Sequence, residues 1–495
     1  MAKQFENEFT YKKYLEAGKE AEFDRLFESA VEEVKGEMGR EYPMYINGIE
    51  VRANDKLTEK SPIDGSVLGI FQKGTRDYAR QAIEAASIAF HAWSATDYKE
   101  RASIFMKAAD IFSQNKFKLA AVLSYENGKS RYESVGEVDE AIDFMRYYSR
   151  ELIANKGYLR KTHLSASTMK VSAGFQGAPS NEEKVVIAMK PYGVFGVIAP
   201  FNFPVSISTG MSVGAMITGN TVVFKPSSSD NMSMLTGLYI YKLLKEAGLP
   251  DGVFNFITGP GSEVGDELAV NEGVAGIVFT GSRSTGMEMI AKNFAAGKQK
   301  VFVVEMGGKN PAIVSKYADI DDAVTGVASA AFGYDGQKCS ALSRLYVHES
   351  IKELFISKLI EKIRNFKIGN PLEKSTYMGP LISESAYKRY NESVEKAKYD
   401  GRILYGGKTV NTGLKGFYVE PTLVEVPHSS ELVRKELFIP LLTIESYSSF
   451  DEALKMANDI EYGLTAGLYS NNGKEIKQFM NHIEAGVAYI NRAVS

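Results

Sequence analysis

The feature that most constrains the fold is a regular alternation of apolar strands and helices between residues 193 and 281. Four apolar segments have the character of buried strands: 193–200, 220–226, 252–259 and 274–281. The segments 205–219 and 232–248 between them have the apolar spacing of helices. Strands joined by short helical crossovers form a parallel sheet that is covered on both faces. We therefore predict an α/β fold.

A second α/β unit follows VFVVEMGG (301–308). PAIVS, SRLYVH and the helical stretches 320–333 and 350–366 repeat the alternation, so we place the boundary between the two units near residue 300. Before the first unit, the pattern predicts helices and a hairpin that turns at Asn47-Gly48. The predicted helical stretches there are 11–38, 76–94, 98–128 and 130–156.

Composition excludes several classes of protein. The net charge is −3 on 119 charged residues (58 Lys and Arg, 61 Asp and Glu), which gives no reason to expect capture of nucleic acid or of an anionic membrane. The polar first residues lack the apolar core of a signal peptide, and no run of 18 apolar residues predicts a membrane span. The single cysteine cannot form an intrachain disulfide, so we expect a cytoplasmic protein.

A cofactor site is predicted at the ends of the strands of the first unit. In FTGSRSTG, Gly281 and Gly286 stand between a strand and a helix, where backbone N–H groups bind phosphate. Lys225 ends another strand, where its ammonium can reach ribose hydroxyls or phosphate. Each feature has a plain alternative: a tight strand–helix turn for the glycines and a solvated strand end for Lys225.

Cys339 is the candidate nucleophile. It lies in GYDGQKCSALSR, a polar, glycine-containing loop between a predicted helix and a predicted strand. A thiolate can attack an aldehyde carbonyl, and the resulting thiohemiacetal can give up a hydride. We expect the neighbouring Lys338 to favour the thiolate. The alternative for a lone cysteine is a buried apolar filler.

Two further residues would assist such a nucleophile. Asn202 in PFNFP follows a predicted parallel strand, and its amide can donate to an oxyanion. Glu305 in VVEMGGK ends an apolar strand and can activate water as a general base. The alternatives are a turn asparagine and a carboxylate exposed at a strand tip.

Together these segments resemble the aldehyde dehydrogenase superfamily. PFNFP, KPSS, FTGSRSTG, EMGGK, GQKC and ELFIP occur in the family's order, and the match runs from about residue 40 to 490. The resemblance implies Cys339 as nucleophile, Asn202 as oxyanion donor and Glu305 as general base, with no metal. It also implies that NAD or NADP binds to a set of residues shared with the family. These residues are Ile198, Pro200, Phe201, Lys225, Ser228, Gly281, Ser282, Gly286, Glu436 and Phe438.

The resemblance also implies a domain organisation with a Rossmann-like cofactor domain, an α/β catalytic domain and a small β hairpin for homo-oligomerisation as a homodimer or higher oligomer. We divide the chain into an N-terminal helical extension with the first part of the cofactor domain (1–164), the hairpin (165–190), the rest of the cofactor domain (191–300), the catalytic domain (301–480) and a return segment (481–495).

Within the family, the chain resembles the 1-pyrroline-5-carboxylate dehydrogenase branch, which oxidises glutamate semialdehyde to glutamate in proline catabolism. The carrying segments are GREYPMYINGIEV, EAIDFMRYYSR and GQKCSALSR. The resemblance implies that Lys338 and Ser340 bind the substrate's α-carboxylate, that Glu140 approaches its amino group and that Phe201 also contacts substrate. A zwitterion requires both kinds of partner.

The sequence departs from the family's pattern at two places. Many members have glutamate at the position of Ser228, where it binds the adenosine ribose; a small neutral residue leaves room for a 2′-phosphate, so we predict that NADP is accepted. The family also continues past the equivalent of Ser495 with a PFGG-type motif. Either the given sequence is part of a longer chain, or this protein differs from the family there.

Three other functions remain open at this point. The same chemistry can act on another aldehyde, such as succinate semialdehyde, which lacks the α-amino group. A non-catalytic binding or structural protein can use the same fold, although it would not need the nucleophile, donor and base together. Transfer of the acyl group to coenzyme A is disfavoured because Glu305 serves hydrolysis.

Overall fold

A computed structural model describes residues 7–164, 183–228 and 232–494 of the chain. Within these ranges the strands form two seven-stranded sheets, one three-stranded sheet and one two-stranded sheet. Helices alternate with the strands of both large sheets. The predicted α/β fold class is confirmed.

The first large sheet contains the strands that the alternation predicted. In spatial order it consists of β12 (Val301–Glu305), β11 (Val274–Thr280), β8 (Val194–Ile198), β9 (Thr221–Lys225), β10 (Phe254–Phe256), β2 (Met44–Ile46) and β3 (Ile49–Val51). The first five run parallel, and β2 and β3 add an antiparallel edge. Because β8 and β9 lie in the centre, every residue of both strands is buried.

The second large sheet is also mostly parallel. In spatial order it consists of β15 (Arg402–Tyr405), β16 (Thr422–Glu425), β17 (Leu441–Tyr447), β14 (Leu342–His348), β13 (Asn310–Val314), β18 (Thr465–Tyr469) and β19 (Val487–Ile490). Only β15 runs antiparallel to its neighbour. Since β12 ends the first sheet at Glu305 and β13 starts the second at Asn310, residues 306–309 connect the two sheets.

Two small sheets complete the strands. One contains β1 (Arg40–Tyr42), β5 (Val67–Gln72) and β4 (Lys56–Lys60); the other pairs β6 (Leu159–Leu164) with β7 (Glu183–Ala188). The predicted hairpin turn between β2 and β3 is confirmed, with Asn47 and Gly48 both at positive φ, 51° and 75°. Of the hairpin predicted at 165–190, residues 165–182 lie outside the described ranges, and β7 forms its second strand.

Helices cover the sheets and form the N-terminal region. They are α1 (Tyr11–Glu16), α2 (Glu20–Lys35), α3 (Arg76–Ala95), α4 (Tyr98–Gln114), α5 (Lys116–Asn127), α6 (Arg131–Ala154), α7 (Ser206–Ile217), α8 (Met234–Glu246), α9 (Asp266–Val270), α10 (Arg283–Ala295), α11 (Ile320–Phe332), α12 (Lys352–Arg364), α13 (Glu384–Asp400), α14 (Glu431–Arg434), α15 (Phe450–Asn458) and α16 (Gly473–His482). In the described part of the chain, none is long and apolar enough to cross a bilayer.

The stretch 98–128, which the pattern predicted as helical throughout, is interrupted at Asn115. Asn115 lies outside helical geometry, and its side-chain amide donates to the carbonyl of Ile111 at 2.9 Å. An asparagine that bonds the preceding turn competes with continuation of the helix. The chain therefore turns there, and α4 and α5 can both pack against α6.

A buried ionic network fastens the N-terminal segment to this helical region. Lys116 Nζ lies 3.0 Å from Glu8 Oε1 and 2.7 Å from Asp139 Oδ1, and all three side chains are almost fully buried. Glu8 also accepts from the Ser113 hydroxyl at 2.8 Å and pairs with Arg146 at 2.5 Å. Burial alone would raise the pKa of Glu8, but these partners lower it to about 2.

We expect Glu8→Ala to lower the free energy of unfolding by about 3 kcal/mol, because the change removes one partner of a buried ionic network. Since the folded-state pKa of Glu8 is depressed, its contribution is present above the unfolded value and is lost as the pH falls towards 2. The difference between variant and wild type should therefore shrink in acid. Urea titrations at pH 7 and pH 3 measure this, with the exposed Glu16→Ala as control; an equal effect of both substitutions would contradict it.

Candidate active site

A cleft of about 660 Å³ lies where the parallel strands of the first sheet reach their carboxyl ends. Ile198 and Lys225 are partners in register on β8 and β9, and Thr280 and Glu305 are partners on β11 and β12, so all four lie along one edge of the sheet. Predicted site residues line much of this cleft: Ile198, Pro200, Phe201, Asn202, Lys225, Ser228, Gly281, Ser282, Cys339, Glu436 and Phe438.

Lys225 and Ser228 form one wall of the cleft. Lys225 is buried, donates to the carbonyl of Pro226 at 3.0 Å and has no carboxylate partner among the described residues. Burial lowers the pKa of its ammonium to about 8. Ser228 is also buried, and its hydroxyl donates to the same carbonyl at 3.0 Å. A buried cation without a counter-ion fits an anionic or hydroxyl-rich ligand.

The turn before α10 forms a second wall. Ser282 caps α10 by accepting from the backbone N–H of Thr285 at 3.2 Å, and the first turn of the helix is exposed. The backbone N–H of Gly281 donates to the carbonyl of Glu305 at 3.1 Å. Exposed N–H groups at a helix N-terminus bind phosphate. Together with Lys225, this wall fits a dinucleotide.

Gly286 serves packing in this arrangement. A Cβ there would lie 2.5 Å from the sulfur of Met306 and 3.1 Å from the ring of Phe279. The absence of a side chain lets α10 approach the end of β12, as glycine does in other dinucleotide-binding turns. Gly286 lies within the first turn of α10, where it is buried, and it is not among the residues that line the cleft.

Cys339 lies in a tightly held loop between α11 and β14. The side-chain amide of Asn310 donates to the carbonyls of Cys339 and Ala341 at 2.7 and 2.8 Å. Ahead of the cysteine, Tyr334 and Asp335 both adopt left-handed backbone geometry, with φ of 46° and 55°. Consecutive non-glycine residues in this region are strained, and such strain clusters at functional sites. The cysteine is half-buried and lines the cleft, so it is not a core filler.

The thiol of Cys339 is protonated in the free protein. Burial raises its pKa to about 11, and the negative charges of Glu436 and Glu305 add to this. The backbone N–H groups of Ser340 and of Cys339 itself act in the opposite direction. Both carboxylates are therefore within electrostatic reach of the sulfur.

The prediction that Lys338 favours the thiolate is wrong. Lys338 Nζ lies 2.7 Å from Glu133 Oε1, so it is paired with a residue far away in the sequence. Gly333 makes room for this pair, since a Cβ there would lie 3.1 Å from the Glu133 oxygen and 3.4 Å from Lys338 Nζ. With its charge paired, Lys338 does not offset the acidic surroundings of Cys339.

Asn202 and Glu305 approach the cysteine from the first sheet. Asn202 is buried, and its Nδ2 donates to the carbonyl of Gln337 at 3.0 Å, two residues before Cys339. This bond fixes the orientation of the amide and leaves its second N–H available. Glu305 is exposed at the tip of β12, which is the alternative given above for this residue. Its negative charge also raises the pKa of the Cys339 thiol.

Glu436 spans the connection between the two sheets. Its Oε1 accepts from the backbone N–H of Gly308 at 2.8 Å, and a Cβ at Gly307 would lie 2.5 Å from its Oε2. Burial raises the pKa of Glu436, whereas the N–H of Gly308 and the cations Lys309 and Arg389 lower it. Glycine at 307, which also has φ of +81°, is therefore needed for this contact.

Phe438 and Phe201 meet across the cleft. Their ring centroids lie 5.8 Å apart with the planes at 65°, an edge-to-face arrangement. Phe438 adopts φ of 57°, which is unusual for a bulky residue. The two rings, one from a loop of each large sheet, form an apolar wall of the cleft that Cys339 also lines.

The remaining predicted residues, Glu140, Lys338 and Ser340, are not among the residues that line the cleft. Ser340 is half-buried directly after Cys339. Burial raises the pKa of the Glu140 carboxyl on α6, whereas the Ser206 hydroxyl and the charges of Lys129 and Lys338 lower it. The carboxylate of Glu140 and the ammonium of Lys338 are thus within electrostatic reach of each other.

Sequence reasoning missed several residues of this region. Glu133 and Glu137 lie nearly two turns and about one turn before Glu140 on α6, and Glu137 pairs with the buried Lys129. Lys129 Nζ lies 3.5 Å from the ring centroid of Phe203, the residue after Asn202. The spacing of the three glutamates, i, i+4 and i+7, was a signal for one acidic helix face. Its partners could not be read from the sequence.

Comparisons with known proteins agree with this geometry. Residues 50–495 match the family described as the aldehyde dehydrogenase family. A 1-pyrroline-5-carboxylate dehydrogenase of Geobacillus thermodenitrificans is 35% identical over 477 residues, 94% of this chain and 88% of that protein. One of Bacillus licheniformis is 36% identical over 478 residues, with the same coverage.

Solved structures agree as well. A 1-pyrroline-5-carboxylate dehydrogenase from Thermus, solved with bound NAD, has a TM-score of 0.88 at 32% identity and covers 100% of this chain and 92% of its own. A betaine aldehyde dehydrogenase from Staphylococcus aureus, in complex with NAD⁺, has a TM-score of 0.86 at 30% identity and covers 94% and 90%. This chain belongs to the aldehyde dehydrogenase family.

Proposed function

We propose that this protein oxidises L-glutamate 5-semialdehyde, which is in equilibrium with 1-pyrroline-5-carboxylate, to glutamate with NAD or NADP, as a step of proline catabolism. The observation that carries the proposal is that Cys339 and Asn202 both line the cleft, with the Asn202 amide bonded to the carbonyl of Gln337 two residues before the cysteine, while the Glu305 carboxylate lies within electrostatic reach of the sulfur. Family membership and the relatives' names support the same reaction.

The first half of the reaction uses Cys339 and Asn202. The thiol gives its proton to water, and the sulfur forms a bond to the aldehyde carbon while the carbonyl π electrons move to the oxygen, which gives a thiohemiacetal. The free N–H of Asn202 donates to the oxygen that becomes negative, while the bond to the Gln337 carbonyl holds the amide in place. NAD(P), when bound, supplies the acceptor for the hydride that leaves this carbon.

The second half releases the product. Loss of hydride leaves a thioester on Cys339, and Glu305 takes a proton from the water that attacks it. Water adds to the acyl carbon, the carbon–sulfur bond breaks and the carboxylate departs. The exposure of Glu305 at the tip of β12 supports this role, since a base for water needs access to solvent.

The charges near the nucleophile favour a zwitterionic substrate. Lys338 and Ser340 flank Cys339 and would hold an α-carboxylate, while Glu140, within reach of Lys338, would hold an α-ammonium. Phe201 in the cleft wall would contact the carbon chain. The curated relatives named 1-pyrroline-5-carboxylate dehydrogenase support this substrate, whereas succinate semialdehyde would leave Glu140 without a cationic partner.

Either nicotinamide cofactor fits the cleft, and we propose that NADP is accepted. Ser228 is small and neutral. Lys225, which has no carboxylate partner among the described residues, offers its ammonium to a 2′-phosphate. A carboxylate at position 228 would repel that phosphate. Asp230 lies outside the described ranges.

We also propose a cytoplasmic homo-oligomer. The strand β7 and the residues after it expose apolar side chains, with Val186, Ile187 and Met189 more than half exposed. Exposed apolar patches of this kind mark protein–protein contacts. A sedimentation velocity run that gave only the monomer mass would contradict the oligomer.

We expect Glu305→Gln to stop turnover after one catalytic cycle. The variant should release about one equivalent of NAD(P)H in a rapid burst, and steady-state turnover should fall by about 10²–10⁴-fold, because hydrolysis loses its base. Stopped-flow absorbance of the reduced cofactor measures both phases. Cys339→Ala is the control and should give no burst. Unchanged steady-state turnover in Glu305→Gln would exclude the proposed base.

We expect Glu140→Gln to discriminate between two aldehydes. The KM for glutamate semialdehyde should rise about tenfold, since a hydrogen bond between charged groups contributes about 1.5–3 kcal/mol. The KM for succinate semialdehyde should stay the same because it has no ammonium group. Equal changes with both substrates would refute recognition of the amino group by Glu140.

We expect Ser228→Glu to shift cofactor preference towards NAD. The ratio of kcat/KM for NADP to kcat/KM for NAD should fall at least about tenfold, because the new carboxylate repels the 2′-phosphate. Ser228→Ala, which removes the hydroxyl without adding charge, is the matched control and should change the ratio less than about threefold. A wild-type kcat/KM for NAD far above that for NADP would overturn the proposed acceptance of NADP.

A further inference from the structure

Helix α7 begins immediately after the loop that carries Asn202, yet it lacks a cap of its own. The residue at its N-cap position is Val205, whose side chain cannot accept a hydrogen bond. The first N–H groups of a helix have no partner within the helix and need one from elsewhere. The end of α7 nearest to Asn202 therefore depends on another part of the chain.

Glu137 of α6 supplies this cap. Its Oε1 accepts from the backbone N–H of Val205 at 2.7 Å and from that of Ser206 at 3.2 Å. The side chain of Glu137 is completely buried. A carboxylate at a helix N-terminus is also favoured by the helix dipole. The position of α7 is therefore tied to α6 through a single buried side chain.

Lys129 completes the arrangement. It is buried and pairs with the other oxygen of Glu137, Oε2, so the carboxylate and the ammonium compensate each other. Its Nζ lies 3.5 Å from the ring centroid of Phe203, a contact between a cation and an aromatic face. Glu137 thus holds the residues after the Asn202 loop, and Lys129 holds Phe203 within it.

Both contacts bear on the amide of Asn202. The amide is already bonded to the Gln337 carbonyl at 3.0 Å, and Phe203 and Val205 lie one and three residues further along the chain. A shift of about 1 Å in a reacting or stabilising group costs about 10²-fold in rate. A loop held at two points next to the donor keeps such shifts small.

We propose that Glu137, held by Lys129, is a positioning residue for the oxyanion donor Asn202. It acts through the N-terminus of α7 and the ring of Phe203 and does not touch the substrate. The inference rests on the proposed aldehyde oxidation and adds to it residues that hold Asn202 without contacting substrate, on a helix that contributes Glu133 and Glu140 to the same region.

Two double variants test this proposal. Lys129→Met with Glu137→Gln removes both charges but keeps an oxygen that accepts from Val205 and Ser206. Lys129→Met with Glu137→Leu removes the charges and the acceptor. We expect kcat to fall at least about tenfold in the leucine variant and less than about threefold in the glutamine variant, with the KM for NAD(P) unchanged in both.

The assay uses whichever aldehyde of a panel the wild type oxidises fastest, so the comparison holds even if glutamate semialdehyde is not the substrate. Ser449→Ala is the control for stability: Ser449 caps α15, remote from the cleft, by accepting from the N–H of Glu452 at 3.3 Å. It should lower the melting temperature and leave kcat unchanged. The proposal is overturned if the two double variants have the same kcat, or if Ser449→Ala lowers kcat as much as the leucine variant does.

Discussion

The active site depends on the short connection between the two parallel sheets. Residues 306–309 leave the last strand of the first sheet and enter the first strand of the second, so the carboxyl edge of one sheet faces loops of the other. Asn310 joins this connection to the nucleophile loop through Cys339 and to β18 through the N–H of Thr465, which donates to its Oδ1 at 3.1 Å. Glu436 also contacts this connection, since it accepts a hydrogen bond from the backbone N–H of Gly308. Glu305, Cys339 and Glu436 are therefore positioned by one piece of backbone.

The electrostatics of this junction are acidic around the sulfur. Glu436 and Glu305 both raise the pKa of Cys339, and the nearest lysine in the sequence is engaged elsewhere. The resting protein therefore keeps a protonated thiol at neutral pH, which limits its reaction with oxidants because the thiolate is the reactive form.

Sequence patterns predicted the strands and helices that depend on residues close together in the chain. The strands and helices from 193 to 280 follow from apolar spacing, and Lys225 and Glu305 were placed correctly because strand ends share an edge in a parallel sheet. The effect of Lys338 was predicted wrongly because its partner, Glu133, is 205 residues away in sequence. The role of Glu137 was missed because its backbone partners, Val205 and Ser206, are 68 and 69 residues away in sequence, although its spacing with Glu133 and Glu140 indicated one helix face. The break at Asn115 was missed because asparagine is tolerated in helices until its side chain bonds the preceding turn.

Helix α6 contacts both the region of the nucleophile and the N-terminal segment. One face carries Glu133, Glu137 and Glu140 towards the nucleophile and oxyanion loops, and a second face carries Asp139, Asp143 and Arg146, which hold the N-terminal segment at Glu8 directly or through Lys116. Successive residues on a helix are rotated by about 100°, so inserting or deleting one residue within this stretch would turn the residues that follow it away from their partners. The length of α6 is therefore constrained more tightly than its composition: substitutions on its outer surface can accumulate over evolutionary time, whereas a single-residue change in length within the helix is expected to be purged.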